Sequence, residues 1–317
     1  MRRRAVILVV GLILAAAAQA GSSVSAVPEN AYIWKAGDVF RFEYFKSITV
    51  KQPDETGRLA ERVTEVAGVL ILEIRQVAAS GATATLRLDS PRITLPESVQ
   101  FSAQSDEPQL QPMKNRSVAH ALEGAIKTAR WNCKLSSNGL IYVESRTPKD
   151  MAEWLKDIET AATWRKKFLD VLPRIIEQDL GLKTPSHDRD SLLYLGSAPP
   201  VSTTRAADHL RPRREALTVV SNDGEKATLN FKRVAPKDAG VYQIPDLLKN
   251  ETISASLVSV SIQIGRAVFD LKIGMLDTLN EKYTASLKYT YQAQLTLDQE
   301  VCVEYRLKRL APPISAP

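Results

Sequence analysis

The chain has 317 residues, 44% of them hydrophobic and 25% charged, with a formal net charge of +6. A chain of this length can bury one sizeable core or two smaller ones. Its basic surplus is scattered rather than gathered into a patch, which argues against a nucleic-acid partner, and two isolated cysteines, Cys133 and Cys302, are a poor basis for a zinc site.

The first twenty residues read as an export signal: "MRRR" is a positive start, "AVILVVGLILAAAA" an apolar run, and "AQA" ending at Ala20 a small-residue cleavage site. The apolar run is shorter than the about twenty residues that a membrane span requires. No cysteine follows it to carry a lipid, and no later segment is apolar enough to span. Cleavage removes Arg2, Arg3 and Arg4 and lowers the formal charge from +6 to +3. The mature chain is therefore expected in the periplasm, the cell envelope or the medium.

Beyond the signal, strand patterns dominate. "DVFRFEYFKSITVK" (Asp38 to Lys51) puts Phe40, Phe42, Tyr44, Ile48 and Val50 on one side, the period-two signature of a half-buried strand. "ERVTEVAGVLILEIRQVAASGATATLRLDS" reads as a hairpin turning at Ser80-Gly81, where glycine tolerates a backbone angle that a side chain penalises. Residues 96–112 carry three prolines and read as a loop. "MKNRSVAHALEGAIKTA" follows with Val118, Leu122, Ala125 and Ile126 at helical spacing, and leads into "RWNCKLSSNGLIYVE", a hairpin with an Asn138-Gly139 turn. Thr147 and Pro148 sit where a cap and first helical residue belong. After them Met151, Trp154, Leu155, Ile158 and Ala162 open an apolar stripe that continues to Leu180 and predicts a long amphipathic helix, bent at Pro173.

Residues 184–214 read as a linker, and "RPRRE" (Arg211 to Glu215) as a solvated basic loop within and just beyond it. The second half repeats the plan with a hairpin turning at Asn222-Asp223-Gly224 and a nearly continuous strand run to Leu310, expected to fold back near Asp298-Gln299 or to bend strongly as an edge-to-edge strand, because one strand of that length would exceed the usual range. The resulting division is a signal at 1–20, an N-terminal half at 21–183, a linker at 184–214, a C-terminal half at 215–310 and a tail at 311–317. Strand parity places Cys133 on the apolar side with Trp131 and Leu135, and Cys302 on the polar side. That arrangement argues against a disulfide that an oxidising compartment would otherwise permit.

"VAASGATATLRL" (Val77 to Leu88) recurs as "VSNDGEKATLNF" (Val220 to Phe231), and "WNCKLSSNGLIYV" is answered, with a one-residue gap, by "AVFDLKIGMLDTL". The recurrence predicts an α+β fold: a curved antiparallel sheet or incomplete barrel built from two similar halves and covered by the long amphipathic helix. The "AGDVFRFEY" start, the "AASGATATLRL" hairpin, "NGLIYVE" and "GRAVFDLKIGMLDTLNEKYTASLKY" resemble a β-rich family of exported bacterial proteins of unknown function, of the kind found in planctomycetes. More distantly, the organisation is similar to the half-barrels of lipoprotein-carrier proteins, which hold acyl chains in a concave sheet. The first likeness covers most of the mature chain but departs from the family at "LGSAPPVSTTRAADHLRPRR", and neither likeness carries functional residues over.

No catalytic signature appears: there is no G-x-S-x-G, H-E-x-x-H, C-x-x-C, Walker loop or helix-opening G-x-G-x-x-G. His187, Asp188 and Asp190 form a local cluster in the linker that reads as solvated loop, so no metal or cofactor is expected. Glu43 and Glu73 lie beside Arg41 and Arg75 on strands, where cross-strand ion pairing accounts for them. The expectation is a non-enzymatic exported binder of a hydrophobic ligand or lipidated partner, with Phe40, Phe42, Tyr44, Trp154, Tyr289 and Tyr291 as candidate lining residues. Core packing is the competing account of those aromatics. The alternative function is an envelope-associated structural or protein-interaction module with a filled core.

Overall fold

The period-two alternation is expressed as strands over almost all of the chain that the structure describes. In this computed structural model the described residues are 32–53, 57–95, 115–147, 212–235, 240–246, 251–261, 263–291 and 295–312. The first half forms β1 (Val39–Pro53), β2 (Leu59–Ala78), β3 (Gly81–Thr94), the helix α1 (Asn115–Thr128), β4 (Arg130–Ser136) and β5 (Ile141–Thr147). The second forms β6 (Arg213–Asn222), β7 (Lys226–Val234), β8 (Val241–Asp246), β9 (Glu251–Val260), β10 (Ile264–Asp270), β11 (Met275–Tyr291) and β12 (Leu295–Arg309).

These strands form one antiparallel sheet whose main path runs β5-β4-β3-β2-β1-β12-β11-β10-β7-β6. The first and last strands meet in the middle, paired from Phe42 opposite Arg309 to Lys51 opposite Glu300. Along its free edge β11 changes partner. It pairs with β10 as far as Asn280 and with β9 from Ala285 onward, and β8 extends the β9 branch. The sheet therefore forks at residues 281–284.

The α+β expectation is overturned. The described residues are nearly all strand in one large antiparallel sheet, and among them no long amphipathic helix covers it; the one helix among them is α1, of 14 residues. Thr147, expected to cap a long helix, is instead held as the last residue of β5 by pairing with Arg130. Residues 148–180, to which the rest of that helix was assigned, lie outside the described residues, as do Trp154 and the His187 cluster. The last hairpin also turns elsewhere. Asp298 and Gln299 lie inside β12 opposite Lys288 and Leu287, and Tyr291 opposite Leu295 closes the ladder. Pairing kept the inward parity of Leu287, Tyr289, Leu297, Val301 and Val303 on one face through the turn, so parity alone did not locate it.

The two recurring hairpins are β2–β3 and β6–β7. Gly81 takes φ +145° at the first turn. At the second, Asp223 accepts hydrogen bonds from the Glu225 and Lys226 amides, and Asn222 accepts one from Gly224. Ala84, Leu86 and Leu88 in the one, and Ala227, Leu229 and Phe231 in the other, are buried on the same face of the sheet. They belong to one continuous core with Phe42, Tyr44, Leu72, Trp131, Phe269, Leu279 and Leu307, so both halves share it. α1 adds Ala119 and Ile126 to this core and is tied to β3 where Glu123 accepts the Ile93 amide at 2.8 Å.

That shared core requires the sheet to roll. The β4–β5 and β10–β11 turns are six strand steps apart, roughly 29 Å on a flat sheet at about 4.8 Å per step. Yet three consecutive residues reach both. The Tyr32 amide donates to Ser137 (3.2 Å), the Ile33 amide to Gly274 (3.0 Å) and the Trp34 indole to Ser136 (3.1 Å). A tripeptide spans at most about 10 Å. Tyr32 stacks on Trp34 and meets Phe269 edge-on, closing this end of the roll.

Candidate functional site

The fork places charge inside the roll. Glu281 lies on β11 at the inward parity of Leu279 and Leu287, directly opposite Tyr305 on β12. It is 6% exposed, and the two arginines that reach it, Arg214 on β6 and Arg233 on β7, are 4% and 8% exposed. Arg233 grips both carboxylate oxygens, through Nε and, at 3.1 Å, through Nη2, and its Nη1 donates to the Pro212 carbonyl at 3.2 Å. Arg214 Nη2 donates to Glu281 Oε2 at 3.0 Å. Planar guanidinium groups suit this bidentate geometry.

Aromatic rings hold both guanidiniums in place. Arg214 lies over Phe231 at 4.5 Å from the ring centroid, and Arg233 over Tyr283 at 5.2 Å. Phe231 in turn lies over Gly265 on β10, where an added methyl group would drive into its ring. The glycine is thus a packing requirement: it leaves room for the ring that carries Arg214.

Tyr305 completes the group. Its ring meets Tyr44 edge-on at 5.7 Å, and its hydroxyl is buried with no hydrogen-bond partner among the described residues. Burial pushes its ionisation well above the ordinary tyrosine value; Arg214 opposes that, while Glu281 and Tyr32 add to it. Tyr32 is raised in the same way by burial, again opposed by Arg214. Both phenols therefore stay protonated and keep their capacity to donate.

On either side of this polar layer the inner face differs in character. Toward the clasped end it is the packed core, with Phe42, Tyr44 and Leu307 each 1% exposed. Toward the other end the same parity on β1, β12 and β11 carries Lys46 opposite Tyr305, then Ile48 and Val50, Val303 and Val301, and Leu287 and Tyr289, all only partly buried, with Gln299 hydrogen-bonded to Gln52 at 3.0 Å among them. Ala255, Leu257 and Ala285 form a small second core there, with Tyr242, Val260, Leu287 and Tyr289 packed on it.

The aromatic residues singled out in the sequence are thus divided. Phe42 and Tyr44 are fully buried in the main core and Phe40 packs against it; Tyr289 belongs to the second core. Tyr291 is the last residue of β11, and Trp154 lies outside the described residues. The Arg–Glu–Arg group was missed because "RPRRE" reads as solvated loop, whereas Arg213 and Arg214 belong to β6 and Arg214 is buried. The available signal was parity: Arg233 follows Leu229 and Phe231, and Glu281 follows Leu279, on faces otherwise apolar. Glu73 pairs chiefly along its own strand, with Arg75 at 2.7 Å, and across the ladder with Arg87 on β3 at 3.7 Å. Cys133 is buried and Cys302 half-buried, and the two do not form a disulfide with each other. Among the described residues no helix is long and apolar enough to cross a membrane.

No protein-family model matches the chain, and no curated protein matches it. Among solved structures, one described as lipid–protein interactions in lipovitellin is similar over 90% of this chain and 26% of its own, with a TM-score of 0.39 and 8% identity. The COG4313 outer membrane channel from Pseudomonas putida F1 is similar over 89% of this chain and 99% of its own, with a TM-score of 0.22 and 8% identity. The chain spans about a quarter of the lipovitellin chain. The resemblance to exported planctomycete-type proteins finds no family model behind it. Scores this low leave function to the geometry of this chain.

Proposed function

We propose that the protein is an exported, non-catalytic binder that holds a hydrophobic ligand, or the lipid of a modified partner, against the inner face of its rolled sheet. One observation carries this reading: the inner face is sealed as packed core at the clasped end and turns into a strip of half-buried aliphatic and aromatic side chains beyond the fork. Valine, isoleucine and leucine side chains left partly in water at inward positions gain about 25 cal/mol for each Å² that a ligand covers. Sites for apolar ligands are concave surfaces of this composition with a few placed polar groups.

Native mass spectrometry of the full chain purified without detergent, followed by titration with the methyl ester of parinaric acid, tests the proposal. The expected result is a co-purifying small molecule or saturable uptake of the ester, weakened by Val303→Asp. No bound species and no uptake would overturn it. The second reading is a structural or interaction module of the envelope. It is favoured by the solid main core around Phe42, Tyr44 and Trp131, and it predicts no uptake of the ester together with retention on an envelope extract.

A further inference from the structure

Within that ligand-binding reading, the buried polar layer has the composition of a receptor for a head group. Tyr305 stands at the boundary: Leu307, two residues on, lies in the packed core, and Val303 and Val301, on its other side, begin the half-buried strip. Its hydroxyl is buried and has no hydrogen-bond partner among the described residues. A buried hydroxyl left unmatched is costly, and such a group calls for a bound polar atom. Arg214 donates to Glu281, the residue directly opposite Tyr305 across the β11–β12 ladder, and its guanidinium is held in place by that carboxylate and by Phe231. A hydrogen-bond donor and a fixed cation thus sit together at one end of an apolar strip. From Val303 to Leu297 that face runs roughly 20 Å at about 3.4 Å per residue, the scale of an extended long acyl tail, with Gln299, hydrogen-bonded to Gln52 at 3.0 Å, a polar break between Val301 and Leu297.

We propose that Tyr305 and Arg214 receive the carboxylate of a single-chain amphiphile, a fatty acid, whose tail lies along Val303, Val301 and the facing residues Ile48, Val50, Leu287 and Tyr289. The carboxylate accepts from the Tyr305 hydroxyl and lies in the field of the Arg214 guanidinium, while Glu281 keeps that guanidinium turned into the layer. A neutral head of the same size satisfies the hydroxyl less well and gains nothing from the cation.

Fluorescence titration of the full chain with parinaric acid and with its methyl ester separates this inference from the broader one. The acid is expected to bind at least about tenfold more tightly than the ester, the worth of one hydrogen bond to a charged group. Tyr305→Phe should lose about that factor for the acid and a smaller one for the ester, with no fall in the melting temperature of the ligand-free protein, because the hydroxyl has no hydrogen-bond partner to lose among the described residues. Equal binding of acid and ester, or acid binding unaffected by Tyr305→Phe, would overturn the head-group site and leave the hydrophobic-ligand reading standing. Uptake of neither probe would overturn both. A Tyr305→Phe protein that melts lower or does not fold would show that the hydroxyl serves the fold, and displacement of the acid by acetate at equal concentration would show a site for free carboxylate; each counts against the proposal.

Discussion

Glu281 is the residue on which the inner polar layer turns, because two buried arginines share its one carboxylate. Taking one partner from a buried ion group costs far more than the group contributes as a whole, since the charges left behind cannot be rehydrated. Glu281→Gln is therefore expected to lower unfolding free energy by about 3–5 kcal/mol in urea titration. Replacing the set together, Arg214→Met with Arg233→Met and Glu281→Leu, should restore most of that loss. If Glu281→Gln proved neutral, the layer would not have the energetic structure its geometry implies. At this scale the sequence was only half legible. The inward parity of Glu281 and Arg233 could be counted along "TLNEKY" and "LNFKRV", but parity does not reveal that β6, β7 and β11 bring three charges to one point. That convergence is set by the fork, a matter of which strands pair.

The hairpins were the most legible elements, for turn chemistry is local. The β2–β3, β4–β5 and β6–β7 turns fall where Ser80-Gly81, Asn138-Gly139 and Asn222-Asp223-Gly224 place them, and α1 follows its apolar spacing. What the local pattern could not show was pairing between distant strands: β1 with β12, or β11 passing from β10 to β9. β8 went unread because "VYQIPD" is short and its Pro245 argues against a strand. Between elements at the clasped end, an ion network ties β7, β10, β11 and β12 together. Arg309 donates to Asp270 (2.8 Å) and Asp277 (3.1 Å), and Lys226 to Asp277 (2.8 Å). Partial burial of Asp277 acts to raise its pKa, but its hydrogen bonds from Lys226 and Arg309 and their charges outweigh that, leaving it below the ordinary carboxylate value. A carboxylate depressed in the folded state contributes stability that is present above its unfolded pKa, about 3.9, and is lost as pH falls through the lower folded value. Asp277→Asn should thus be less stable at neutral pH and show a shallower loss of stability on acidification below about pH 5. Denaturant midpoints for both proteins across that range provide the measurement, and parallel acid limbs would refute the assignment.

At the scale of the molecule, the decisive feature is that one core draws on both halves of the chain. Sequence recurrence predicted two similar halves and left their cores undivided or divided; burial answers that, with Trp131 and Leu86 from the first half in the same core as Phe269 and Leu229 from the second. Two connections hold the halves together. One is the β1–β12 ladder, the other the clasp of Tyr32 to Trp34 between turns that a flat sheet would set far apart. They act in different ways: the ladder joins neighbouring strands whatever the curvature, whereas the clasp fixes the roll itself. A core closed by both should melt as a unit, so urea unfolding followed by near- and far-ultraviolet circular dichroism is expected to give one coincident transition. Trp34→Ala removes a buried ring and its indole hydrogen bond, and about 3–5 kcal/mol of stability with them. Because the ladder remains, the transition should move to lower urea without splitting, while hydrogen exchange quickens most at the β4–β5 and β10–β11 turns that the tripeptide bridges. A wild-type protein unfolding in two separate steps would mean that the halves carry independent cores. A Trp34→Ala protein with unchanged stability would mean that the roll is held by the sheet's own twist, with the clasp lying on it rather than closing it.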